Sequence, residues 1–181
     1  MRTTRPLECR RDQSPKRRPL LFLDVDGPLL PFGGEPEEYP RFRHPGADPG
    51  GNPLLSRLDP RHGARLAGLG CDLVWATTWM DDANDCLAPL LGLPRLPVLD
   101  WPDAPDRNTA LHAKTRAVVA HAAGRPFVWA DDEITPADRA WVTSHHPGAA
   151  HLHRVDPRRG LTDGDYATIA AWLDDRSPRE R

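Results

Sequence analysis

Three times along this chain a short apolar run stops abruptly at carboxyl or hydroxyl side chains. Pro19-Leu20-Leu21-Phe22-Leu23 gives way to Asp24-Val25-Asp26-Gly27, Asp72-Leu73-Val74-Trp75-Ala76 to Thr77-Thr78-Trp79, and Pro126-Phe127-Val128-Trp129-Ala130 to Asp131-Asp132-Glu133. Runs this short, unbroken and closed by turn residues read as strands buried on both faces. Leu96–Leu99 and His151–Val155 read as two further strands. Between them the patterning predicts helices over Pro60–Leu69, from Asp81 or Asp82 to Leu91, Thr109–Ala123, Pro136–Thr143 and Asp163–Leu173. Asp59 stands ahead of the first as an N-cap, while Gly70, Gly92 and Gly124 close the first three. Short buried strands alternating with helices specify an α/β fold, a three-layer α/β sandwich with a central parallel sheet.

The length, 181 residues, suits one domain, placed at residues 19–176. Residues 1–18 are basic and without period, and are expected to be a disordered leader. Residues 31–53 draw heavily on the 21 prolines and 14 glycines, so they are expected to form an irregular flap rather than a long element. The net charge of −2 is mixed along the chain and gives no sign of a broad nucleic-acid footprint. Three cysteines without a CxxC spacing point to a reducing cytoplasm, and no apolar run approaches the ~18 residues of a membrane span.

In an open parallel sheet ligands bind beyond the carboxyl ends of the strands. Those ends offer Asp24 and Asp26, Thr77 and Thr78, and Asp131 and Asp132; Lys114 belongs to the helix leading into the Phe127 strand. Carboxylates crowded in this way are tolerable around a cation. The set also supplies what phosphoryl transfer through an aspartyl-phosphate needs: a carboxylate nucleophile, a second carboxyl to move protons, and a cation with a hydroxyl for the phosphoryl oxygens.

At these residues the chain resembles the haloacid dehalogenase-like (HAD) hydrolases. Asp24-Val25-Asp26-Gly27-Pro28-Leu29 is similar to their first motif, Leu73–Thr77 to the second, Lys114 is placed like the lysine of the third, and Phe127–Asp132 resembles the acidic fourth. The resemblance implies a Rossmann-like core and a magnesium-dependent phosphatase. Asp24 would be nucleophile and metal ligand. Asp26 would be the general acid/base and a ligand through its backbone carbonyl. Thr77, or its neighbour Thr78, and Lys114 would hold the phosphoryl group, and Asp131 and Asp132 would complete the magnesium site. Pro28 departs from the usual Thr or Val.

The partner implied is a phosphorylated small molecule or a phosphorylated macromolecule end, nucleic acid and a homo-oligomer being left open and a membrane excluded. The alternatives are a polynucleotide-end phosphatase or phosphotransferase and a catalytically silent HAD-fold binding module. A calcium loop would require the longer acidic spacing that Asp24–Gly27 lacks. His151 and His153 alternate on a strand and are read as structural rather than zinc ligands. Trp79 is read as packing or as a stacking surface for substrate. The little chain available between the motifs predicts a capless or minimally capped site.

Overall fold

The computed structural model describes residues 17–44, 52–101 and 110–176. Residues 1–16 of the expected leader and residues 45–51 of the expected flap lie outside them. Four strands form one parallel sheet: β1 (Leu20–Leu23), β2 (Asp72–Trp75), β3 (Phe127–Asp131) and β4 (Ala150–Arg154), in the order β2-β1-β3-β4. The register sets Leu23 of β1 beside Trp75 on one side and Ala130 on the other, so three strands end together. That alignment brings their polar extensions to one edge.

Alternation along each strand divides the core into two layers. Leu21, Leu23, Trp75, Val128 and Ala130 pack to one face, against α1 (Arg61–Ala67), α2 (Asp82–Cys86), α3 (Ala88–Leu91) and α6 (Asp163–Asp174). Leu20, Phe22, Val74, Phe127 and Trp129 pack to the other, against α4 (Thr115–Ala122) and α5 (Pro136–His145). In these layers Phe22, Trp75, Phe127 and Trp129 are fully buried. The chain is therefore the α/β sandwich its sequence predicts, with parallel strands covered on both sides.

Three elements differ from the expectation. Leu96–Leu99 is not a fifth strand but a single bridge, Trp75 with Val98, made by the Trp75 N–H to Pro97 O (2.9 Å) and the Leu99 N–H to Trp75 O (2.7 Å). Pro97 has no N–H to extend a ladder. The helix expected as far as Leu91 is broken into α2 and α3, because Pro89 cannot donate back to the preceding turn. The helix expected from Thr109 starts at Thr115, so Lys114 stands at the helix entrance rather than within it. Its predicted first residue, Thr109, lies outside the described residues.

Candidate active site

The site is built on the ends of β1 and β3. The Asp24 N–H donates to Ala130 O (3.0 Å), continuing the sheet by one rung and fixing the Asp24 backbone against β3. The chain then turns sharply. Leu29 and Leu30 both donate to Val25 O, and Gly27 takes φ +84°, which favours glycine. A Cβ on Gly27 would stand 2.7 Å from Cγ of Asp132, so the residue is required both for its backbone and for the space Asp132 occupies.

Lys114 occupies the centre. Its Nζ lies 2.7 Å from Asp24 Oδ2 and 2.9 Å from Asp131 Oδ2, and the lysine is only 3% exposed. Asp131 is held further by the Glu133 N–H at Oδ1 (2.9 Å) and the Trp129 Nε1–H at Oδ2 (3.3 Å). Asp24 Oδ1 accepts from the Val25 N–H (2.7 Å). Ligand oxygens of Asp24, Asp131 and Asp132 all lie within 4.8 Å of one another.

Electrostatics follow from this crowding. Burial, with the Asp131 charge adding to it, pushes the Asp24 carboxyl up to about 7 against the pull of Lys114. Asp132 is raised as well, by burial and then by Asp131. Burial works against the Lys114 ammonium, yet Asp24 and Asp131 together hold it above its ordinary value. Three carboxylates, all oxygen donors and mutually repelling, suit a hard divalent cation such as Mg²⁺.

Asp26 points elsewhere: its Oδ2 accepts from Trp79 Nε1–H (3.0 Å), and its carboxylate is outside the three-carboxylate cluster. It lines the same cleft, of about 440 Å³, together with Asp24, Thr78, Lys114 and Asp132. Of the two threonines, Thr78 is exposed on the cleft wall. Thr77 is fully buried beside it, its Oγ1 accepting from the Trp79 N–H (3.3 Å).

Several residues that matter to the site were not singled out in the sequence. Asp138 is buried, and its Oδ1 accepts from the His112 N–H (2.8 Å) and the Thr115 hydroxyl (2.5 Å). Its Oδ2 accepts from the N–H and hydroxyl of Thr135. The turn that delivers Lys114 is thereby tied to the start of α5. The Thr135-x-x-Asp138 half was legible as a capping box; the reach to Thr115 carries no local signal. Trp79 packs against the core, one of the two roles expected of it, and also serves Asp26 as a hydrogen-bond donor. His151 and His153 face α6, where His153 Nε2 meets Asp165 Oδ1 (2.8 Å) and His151 stacks on Trp172.

Compared with protein families, residues 20–166 match the model described as the HAD domain in Swiss Army Knife RNA repair proteins. Comparison with curated proteins and with solved structures gives no match.

Proposed function

Since the chain belongs to the family of HAD domains found in Swiss Army Knife RNA repair proteins, we propose that it is a magnesium-dependent phosphatase that acts on phosphorylated RNA ends through Asp24. The observation that carries the reading is the Lys114 ammonium shared by two buried strand-end carboxylates, Asp24 and Asp131, with Asp132 beside them. The family's association with RNA repair is what favours a nucleic-acid end over a small metabolite.

Asp24, Asp131 and Asp132 would hold the magnesium ion, with the Asp26 backbone carbonyl as a further ligand. When bound, the ion supplies charge neutralisation for the phosphoryl oxygens and lets Asp24 stay ionised. An Asp24 carboxylate oxygen attacks phosphorus as the bond to the leaving oxygen breaks with its electron pair. Asp26, oriented by Trp79, gives its proton to that oxygen. Water then attacks the phosphorus of the aspartyl-phosphate, Asp26 takes its proton, and Asp24 is released with inorganic phosphate. Lys114 offsets phosphoryl charge throughout, and Thr78 offers a hydroxyl from the cleft wall. Among the described residues the cleft is bordered by loop and turn residues such as Phe32, Thr78 and His112, which suits the end of a polymer.

The test is phosphate release in magnesium from 3′- and 5′-phosphorylated oligoribonucleotides, mononucleotides and aliphatic monoesters. Asp24→Asn is expected to lower release by at least about 10³-fold, and EDTA to abolish it. Undiminished turnover by Asp24→Asn would rule the mechanism out, and release from the aliphatic esters alone would rule out the substrate class.

A further inference from the structure

A second cleft, about 310 Å³, lies on the far side of the Pro31-Phe32 segment from the one containing Asp24. Pro31 forms part of its wall, whereas Phe32 faces the active site, so the two clefts share a ridge two residues wide. The ridge is fixed from both sides. The Phe32 N–H donates to Pro157 O (2.8 Å), and Arg57 Nη1 donates to Pro31 O (2.7 Å).

Two features of this region point to a ligand. The first is Phe32 itself. It is 39% exposed, and among the described residues it and Met80 are the large apolar side chains left in water. A ring left uncovered at the mouth of a phosphate site, on a backbone held in place, offers a platform for a base. Trp101 provides a second ring in the same cleft, 5.7 Å from Lys114 Nζ.

The second is charge. Arg57, Arg61, Arg65 and Arg159 line the outer cleft. Arg61 is spent on Asp59 (2.6 Å) and Arg65 on Asp163 (2.5 Å). Arg57 and Arg159 have no carboxylate partner among the described residues. Arg57 is instead held over the Tyr39 ring at 4.1 Å and by Pro31 O, neither of which carries a formal negative charge. A chain of net charge −2 thus concentrates unpaired positive charge in a groove one ridge away from its nucleophile.

We propose that the arginine-lined cleft holds the phosphodiester backbone of a single-stranded nucleic acid, whose terminal base stacks on Phe32 as its phosphate reaches Asp24. The proposal rests on the reading of the substrate as a nucleic-acid end. Stacking on Phe32 requires an unpaired base, which selects a single strand over a duplex. The backbone contacts in the cleft are electrostatic and without sequence preference.

The experiment is fluorescence anisotropy with a labelled oligoribonucleotide of about eight nucleotides bearing hydroxyls at both ends, so that nothing is hydrolysed. Full-length protein is titrated in magnesium at several concentrations between about 50 and 200 mM salt. Arg159→Glu is expected to weaken binding about tenfold and to reduce the slope of log affinity against log salt by about 1. Phe32→Ala is expected to weaken it about tenfold, within the range for loss of one stacked base. Arg18→Glu, an exposed reversal just ahead of β1 at the opposite end of the sheet, is expected to change it less than about twofold. Thermal melts of each variant report whether it is folded.

The proposal is overturned if wild-type protein does not bind, if folded Arg159→Glu and Phe32→Ala bind like wild type, or if Arg18→Glu weakens binding as much as Arg159→Glu. Phosphate release assayed in parallel separates the two readings. Binding with the expected pattern but without turnover supports the cleft and removes the catalytic reading. Turnover of end-phosphorylated RNA that Arg159→Glu leaves unchanged does the reverse.

Discussion

Asp24 and Lys114 set the behaviour of the site at the scale of single residues. In metal-free protein the Asp24 carboxyl stands at about 7 instead of the ordinary 3.8. The native state therefore keeps a proton that the unfolded chain releases. The resulting stabilisation is complete below about pH 4 and is lost as pH rises towards 7. Asn at this position cannot ionise, so in EDTA the melting temperature of Asp24→Asn should gain on wild type between pH 4.5 and 7.5. A gap that stays constant across that window would contradict the raised carboxyl. The sequence named Asp24, Lys114, Asp131 and Asp132, and the fold brings all four together: the three aspartates end or follow strands whose register is set by buried apolar residues, and Lys114 stands at the entrance to α4, which leads into β3. The sequence favoured Thr77, the residue directly after the apolar run, whereas Thr78 lines the cleft, since which hydroxyl reaches it depends on how the turn to Trp79 closes. The bond from Trp79 to Asp26 spans two separate strand ends and had no local signature.

Among the elements, the turn before α4 carries the greatest functional burden. It has no regular structure of its own, yet it places Lys114. Asp138 supplies its anchorage: burial raises that carboxyl, but the hydrogen bonds from Thr115, Thr135 and the His112 N–H outweigh it and hold the group below its ordinary range. Asp138→Ala should cost about 2–3 kcal/mol in urea unfolding, since it removes an N-terminal cap and leaves the buried Thr115 hydroxyl unpaired. Amides of residues 110–114 should lose hydrogen-exchange protection in this variant while those of α6 keep theirs. Equal loss in both would mean that Asp138 has no particular hold on the turn. Strands β1 and β3 were readable because fully buried strands are continuous apolar runs, and β2, at the sheet edge, because its buried half, Val74-Trp75, ends such a run. The misreadings fell at Pro89 and Pro97, where a missing N–H outweighed an otherwise apolar pattern, and at the entrance to α4, where a contact from 23 residues away overrides helical periodicity.

For the whole molecule, the two apolar layers cover both faces of the sheet and leave the carboxyl edge as the place where unlike charges are brought together. Magnesium binding there should stabilise the fold by mass action, by about 2.7 kcal/mol at a hundredfold excess over its dissociation constant. Differential scanning fluorimetry should show the rise in wild type and its absence in Asp131→Asn; an equal rise in both would place the ion elsewhere. The overall charge of −2 did not reveal the arginine cleft, because composition averages over surfaces that only the fold separates. The lysine shared between Asp24 and Asp131 has a consequence for how the site fills. Three carboxyl groups share one ammonium at the place where a phosphate dianion must arrive. On the proposed reading the cation and the anion are then each other's effectors. Whatever factor magnesium adds to phosphate affinity, phosphate must add to magnesium affinity, and the pair binds as a coupled unit.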